Sequence, residues 1–279
     1  MKTGIIILNY NDYENTLKII DMIKDYKCLK KIIIVDNAST DDSFNHLKPL
    51  ENNKIIIIKN KKNLGYAYGN NLGLKYLYEH GFDYAIISNP DIIVEESVME
   101  ELISRMKNSK VSFLGPKILE HGNIIKGWKT PSYLYELLST MNYFHKYAKK
   151  LITYKDSYYK DGLNEVDVIH GCFFIGRLKD FKKINFFDTN TFLYYEENIL
   201  SYKAKKNNLG IYVDTSISVI HNLSLSVDKS LNKLKKYKIL KDSMFYYETR
   251  YRKINIFKYI LLRIVYYISY MVGFVTFWV

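Results

Sequence analysis

Cysteine is scarce: two residues in 279, Cys28 and Cys172, leave no disulfide framework and point to a reducing compartment. Only four prolines occur, and the 13 glycines gather into no Pro/Gly-rich linker. No internal repeat or low-complexity tract divides the chain, so any boundary between its halves is soft. The nucleotide fingerprints are missing as well. Gly65, Gly69 and Gly73 lie four apart, which is not G-x-G-x-x-G spacing, and no Walker sequence occurs. Met1-Lys2-Thr3-Gly4 runs straight into a strand-like segment with no apolar leader, so no secretory signal is expected. Negative charge is in deficit, 29 acidic against 41 basic residues. The net charge of +12 implies an anionic partner: nucleic acid, an acidic membrane surface or a phosphorylated substrate.

What is present is a globular composition, 48% hydrophobic and 25% charged, long enough for one large or two modest domains. Tyrosine is abundant at 27 residues. Strand-like runs over 4–8, 31–35, 54–58 and 83–88 alternate with helical spacing over 12–26, 42–47 and 66–78. That rhythm predicts an α/β fold with a mostly parallel, Rossmann-like central sheet flanked by helices. Residues 115–128 read as further strand and turn, and 131–159 as a helical insertion or lid. Residues 166–176 read as strand, 193–207 as extended and then helical, and 228–253 as a basic helical region.

Each early strand ends in polar residues, and in a parallel sheet those ends share one edge, where open α/β sheets bind ligands. Asp91 follows Pro90 on the last of them. It suits a divalent cation bridging to phosphate, or else simply caps a helix over 92–106. Asp36 closes an Ile-Ile-Ile-Val strand and can accept from a base N–H or a ribose hydroxyl; the plain alternative is a polar turn. Gly65 and Gly69 bring a helix start close to a ligand or a strand. Glu196 and Glu197 leave an aromatic run that would raise a carboxylate's pKa and make a better base, unless the pair lies on a solvated helix face. His221 ends a β-type run and reads as a metal or phosphate contact, or as a structural histidine.

The ordered set Asn9-Tyr10-Asn11, Val35-Asp36-Asn37-Ala38-Ser39-Thr40-Asp41, Asn63 through Gly73, Ser88-Asn89-Pro90-Asp91, Gly171 through Arg177, Tyr195-Glu196-Glu197 and His221 resembles family 2 glycosyltransferases with the GT-A fold. The likeness is strongest to the rhamnosyltransferase-like branch that includes galactofuranosyltransferases, and it covers about residues 3–225. It implies an inverting transfer from a UDP- or dTDP-linked sugar to a saccharide or polyprenyl-linked acceptor, in bacterial capsule or O-antigen synthesis. By that resemblance Asn9, Asn11, Asp36, Asn37, Asn63, Gly65, Asn70 and Asn89 hold the donor. Asp91, with His221, would hold Mg²⁺ or Mn²⁺. Glu197 matches the general base, with Glu196 beside it, and Trp128, His170 and Gly171 face the acceptor. The chain departs from the pattern where Glu197 replaces an Asp and Ile199 replaces a further Asp.

The resemblance divides the chain into a catalytic domain at 1–225, its nucleotide half about 1–115 and acceptor half about 116–225, and a C-terminal segment at 226–279. Lys229, Lys233, Lys235, Lys236, Lys238 and Lys241 precede a strongly apolar end. The uncharged run 264–279 would span only ~24 Å as helix, short of a ~30 Å hydrocarbon core. A membrane-associating segment on anionic lipid is therefore expected, on the inner face of the cell membrane, with an oligomer contact or a packed core helix as the alternative. Two rival functions stay open: a nucleotidyltransferase on a similar sheet, and a non-catalytic basic module binding membrane or nucleic acid. Against the module, a basic patch has no need of Asp36, Asp91 and Glu197, and nucleic acid is not expected as a partner.

Overall fold

A strand of consecutive isoleucines is apolar on both faces and needs cover on both. The computed structural model, which describes residues 1–141, 144–222 and 232–277, supplies it. β1 (Thr3–Asn9), β2 (Lys31–Asp36), β3 (Ile55–Lys59) and β4 (Tyr84–Ser88) form a parallel block in the order β3-β2-β1-β4. Helices α1 (Tyr13–Ile23), α2 (Ser43–Leu47), α3 (Tyr66–Glu79) and α4 (Glu96–Arg105) cover them. Ile5, Ile7, Ile32 and Ile34 enter one core with Ile20 of α1, Leu47 of α2 and Leu102 of α4. Ile6, Ile33, Val35 and Ile87 enter the other with Leu74 and Leu77 of α3. Each such side chain contributes about 1.5–3 kcal/mol, so polar residues are displaced to the strand ends.

The second half comprises β5 (Ile92–Ile93), β6 (Val111–Glu120), β7 (Asn123–Ile125), α5 (Tyr133–Thr140), α6 (His145–Ile152), β8 (Leu163–Glu165), β9 (Phe173–Arg177), α7 (Leu178–Lys183), α8 (Glu196–Lys206) and β10 (Gly210–His221). The sheet runs β3-β2-β1-β4-β9-β6-β10-β5, with β7 on β6 and β8 on β10. The expected mostly parallel sheet is therefore mixed. β9 lies antiparallel between β4 and β6, and β5, β7 and β8 also pair antiparallel. The chain reaches β9 at the polar edge, at Gly171 and Cys172, and from there it can only run back along its neighbours.

Three local expectations change. The helix expected over 92–106 begins at Glu96, because Ile92 pairs with His221 in the β5–β10 ladder; its N-cap residue is Glu95 rather than Asp91. The strand expected over 166–176 shortens to β9, preceded by a single bridge between Val168 and Trp128. Before α8 the backbone is not extended: Tyr194 and Tyr195 are both left-handed, at φ +71° and +69°.

The C-terminal segment folds as α9 (Lys233–Tyr246), a π turn over Tyr247–Tyr251, and α10 (Ile256–Phe277). Met244, Phe245, Tyr247, Leu262 and Tyr266 join Tyr195 and Ile199 in a third core, with Tyr133 and Leu137 of α5 against it. The inner face of α10 is thus a packed helix. Its outer face exposes Phe257, Ile260, Ile264, Ile268 and Met271. Lys241 leaves the expected basic surface: it is buried and its Nζ donates to Thr140 Oγ1 at 2.9 Å. Lys229 and the 225/226 boundary lie outside the described residues. Among those residues no helix is long and apolar enough to cross a membrane.

Candidate active site

Register places Asn9 directly opposite Asp36 at the ends of β1 and β2. Asn9 Nδ2 donates to Asp36 Oδ1 at 3.0 Å and to Ser39 Oγ at 3.1 Å, while Thr16 Oγ1 donates to Asn9 Oδ1. Asp36 is fully buried, and its Oδ2 has no hydrogen-bond partner among the described residues. A buried carboxylate oxygen left unpaired is costly, which marks it as waiting for a donor. Asn11 ties this loop to its neighbour: its backbone N–H donates to Ser39 Oγ, its Nδ2 to Thr40 Oγ1, and its Oδ1 accepts from Thr40 N.

The next loop is built the same way. Asn37 Nδ2 donates to Asn63 Oδ1 and to the Gly65 carbonyl, and Asn60 Nδ2 donates to Asn37 Oδ1. Gly65 sits at φ +100°, and a Cβ there would lie 2.2 Å from the Phe192 carbonyl oxygen. No other residue fits. Gly69 and Gly73 instead let α3 lie against Leu8 and Ile6. Asn70, buried in α3, donates to the Tyr66 carbonyl, and its Oδ1 is another buried acceptor without a partner among the described residues.

Asn89 N–H donates to the Cys172 carbonyl, which joins the end of β4 to the start of β9. Asp91 Oδ1 stands 3.2 Å from His221 Nε2, and His221 Nδ1 is 2.7 Å from Glu120 Oε2. Burial opposes charge on His221, but the Asp91 and Glu120 carboxylates outweigh it and raise the imidazole's pKa. Among the described residues no three His, Cys, Asp or Glu side chains could together hold a metal ion. Two could: an acidic oxygen and an imidazole nitrogen at this spacing, with a carboxylate behind the imidazole, form a donor pair that fits a divalent cation completed by ligand oxygens and water.

Gly171 connects these groups to the acidic pair. Tyr66 Oη donates to the Gly171 carbonyl at 2.8 Å, and Gly171 N–H donates to Glu197 Oε1 at 3.2 Å. The two carboxyls differ. Burial and then the charge of Glu197 push Glu196 well above the usual range, and its Oε1 is buried without a partner among the described residues. Burial also raises Glu197, opposed by its own backbone N–H and that of Gly171. Such a pair divides into a proton holder and a charge carrier.

Glu197 faces a cleft of about 230 Å³ lined by Trp128, Tyr135, Tyr194, Asn198, Leu240 and others; Glu196 does not line it. Trp128 Nε1 donates to Asn198 Oδ1, and the Trp128 ring meets His170 edge-on. His170 Nδ1 accepts from Cys172 N–H, so its proton is on Nε2. Burial, and then the nearby His221, lower its pKa to about 4, which keeps it neutral. A larger cleft of about 820 Å³ lies at the opposite end of β4 and β9, by Tyr84 and Arg177, remote from every group above.

A sequence model described as glycosyl transferase family 2 matches residues 4–184, more than half of the chain. The chain belongs to this family. A low-salt glycan biosynthesis hexosyltransferase of Haloferax volcanii is 25% identical over 220 residues, 78% of this chain; the family 2 chain spans 66% of that relative's length. A mannosyltransferase from Pyrobaculum calidifontis, in complex with GDP-Man and Mn²⁺, matches with a TM-score of 0.59 at 12% identity, over 95% of this chain and 69% of that one. TarS from S. aureus, in complex with UDP-GlcNAc, gives 0.57 at 14% identity, over 91% of this chain and 74% of that one. At such identities the likeness shows the fold, which is that of GT-A glycosyltransferases.

Several groups in the family 2 site escaped sequence reasoning. Glu120 ends an apolar strand just as Asp36 does, and that signal was there to be used; the turn at His121 and Gly122 hid it. Ser39, in a loop that looks merely polar, and Thr16, in the first turns of α1, brace Asn9. Glu136, whose Oε2 accepts from Tyr195 Oη, lies on a helix with no motif at all.

Proposed function

We propose that this glycosyltransferase moves a sugar, with inversion, from a UDP- or dTDP-linked donor to a hydroxyl of a saccharide or lipid-linked acceptor in cell-surface polysaccharide synthesis. The observation that carries the reading is the cluster at one sheet edge. There the Asn9–Asp36 pair ends β1 and β2, Asn89 beside Asp91 bonds the Cys172 carbonyl at the entry to β9, and Gly171 N–H donates to Glu197, with His221 against Asp91.

Asp36 would hold the base. Its Oδ1 is taken by Asn9, which leaves one oxygen. That matches the single ring N–H of uracil or thymine better than the paired donors of guanine. Asn63, Gly65 and Asn70 would flank the ribose and phosphates, with the Asn70 Oδ1 free to accept a hydroxyl. Asp91 and His221 would hold Mg²⁺ or Mn²⁺, and Glu120 would orient the imidazole. When bound, that cation would neutralise charge developing on the diphosphate leaving group.

Glu197 would be the base. It faces the aromatic cleft, where an acceptor hydroxyl can lie, and removes its proton as the oxygen attacks the anomeric carbon from the side opposite the diphosphate. One displacement inverts that carbon through an oxocarbenium-like transition state. His170, neutral with its proton on Nε2, would serve as a hydrogen-bond donor beside it. The outer face of α10, together with exposed Lys233, Lys235 and Lys238 on α9, suits the surface of an anionic membrane.

Calorimetry with UDP, dTDP and GDP, each with and without Mn²⁺, tests the donor side. UDP or dTDP should bind more tightly than GDP, tighter still with Mn²⁺, and Asp36→Asn should erase the preference. Equal binding of all three by both proteins would remove Asp36 from the base site.

A further inference from the structure

We propose that the buried hydrogen bond from Tyr195 Oη to Glu136 Oε2 positions Glu197, which makes Glu136 of α5 a positioning residue for the transfer reaction. The proposal rests on the reading of Glu197 as the base, and it gives the helical insertion over 131–159 a task in the chemistry.

The starting point is backbone strain. Tyr194 and Tyr195 are successive left-handed residues and neither is glycine. Each costs about 1–2 kcal/mol, so the surroundings must impose the turn. They do so from two directions. From α5, Glu136 Oε2 accepts from Tyr195 Oη at 2.6 Å, with Glu136 fully buried and Tyr195 8% exposed. From α9, Ser243 Oγ donates to the Leu193 carbonyl at 2.8 Å, and the Tyr195 ring packs near Tyr247 with centroids 5.7 Å apart. Lys241 of α9 donates to Thr140 Oγ1, which itself donates to the Glu136 carbonyl, so the two supports brace each other.

The turn leads directly to the base. The Tyr195 carbonyl accepts from Ile199 N–H at 2.9 Å and opens α8, whose first two residues are Glu196 and Glu197. Where Tyr195 sits therefore decides where Glu197 points. Packing alone does not explain an acid here. Among the described residues Glu136 Oε1 is buried without a partner, and burial lifts the carboxyl to about 7, although the Tyr195 hydroxyl and Lys241 draw it down. A leucine would fill the same space without that penalty.

The test uses the full chain and the donor that supports wild-type turnover. Tyr195→Phe keeps the ring and removes the hydroxyl; Glu136→Leu removes the acceptor; Glu136→Gln keeps an acceptor oxygen. Tyr195→Phe and Glu136→Leu should each lose about 10–100-fold in kcat, the size expected when a reacting group is misplaced by about 1 Å. Donor KM and UDP affinity should stay within about twofold, since neither residue touches the donor edge. Glu136→Gln should recover most of the rate, and the double variant should be no slower than the slower single one.

Normal kcat in Tyr195→Phe overturns the proposal. So does a loss that follows donor binding, or one that Glu136→Gln fails to recover, since either is what a merely structural bond would give. If Glu136→Leu does not fold, Tyr195→Phe and Glu136→Gln decide alone. Failure of the wild type to turn over any nucleoside-diphosphate sugar is a separate result: it overturns the glycosyl-transfer reading itself, and this proposal with it.

Discussion

Gly171→Ala should disable the enzyme while leaving it folded. A Cβ at this position would lie 2.4 Å from Glu197 Oε1 and 3.0 Å from its Cδ. Ordinary contact begins near 3.4 Å, so the carboxylate oxygen must retreat by about 1 Å and give up its hydrogen bond from Gly171 N–H. The displaced group is the far end of a flexible side chain, so the stability cost is that of a poor rotamer, about 0.5–1.5 kcal/mol. The same displacement should lower kcat about 100-fold. In barrier terms that is about 2.7 kcal/mol. Initial rates of nucleoside diphosphate release at saturating donor and acceptor, beside Tm and UDP affinity, separate the two effects. Gly65→Ala supplies the contrast, because its Cβ would meet the Phe192 backbone rather than a side-chain tip; there Tm should fall along with activity. A Gly171→Ala enzyme with near-normal kcat would refute the placement of Glu197 as base.

Three further outcomes are expected. Asp91→Ala should abolish transfer and the Mn²⁺-dependent part of donor binding; unaltered binding would remove Asp91 from the cation site. Phe257→Ser/Ile264→Ser/Ile268→Ser, all on the outer face of α10, should weaken sedimentation with anionic liposomes at unchanged Tm, and undiminished sedimentation would sink the membrane reading. Glu248 is buried, with Arg252 3.4 Å away, and burial raises its carboxyl from 4.5 to about 7. A raised acid stabilises the fold only while protonated, so its contribution is present below pH 4.5 and lost as pH rises through about 7. Glu248→Gln should therefore gain Tm over wild type at pH 8 relative to pH 5; an equal difference at both would contradict this.

The polar edge of the sheet was largely legible in the sequence, because uninterrupted apolar runs must stop somewhere and the stopping residues declare themselves. Asn9, Asp36 and Asp91 could be named on that ground. The chain direction of β9 could not, since an apolar run looks the same in either sense. Nor could the turn before α8: nothing in Tyr194-Tyr195 encodes left-handed geometry, which comes from Glu136 and Ser243 far away in sequence. Lys241 was hidden in a crowd of lysines, and only the packing of α9 on α5 separates it from its solvated neighbours. The role expected of Glu197 rested on resemblance, and the cleft beside it adds a physical reason to prefer it to Glu196.

The most direct test of the central claim is the product of one reaction. Incubated with UDP- and dTDP-sugars, Mn²⁺ and a panel of acceptor glycosides, the wild-type chain should release intact nucleoside diphosphate. The new glycoside should carry, by NMR, the anomeric configuration opposite to the donor's. Glu197→Gln should bind the donor normally and turn over about 10²–10⁴-fold more slowly. Release of pyrophosphate, a product with retained configuration, or full activity in Glu197→Gln would contradict the account.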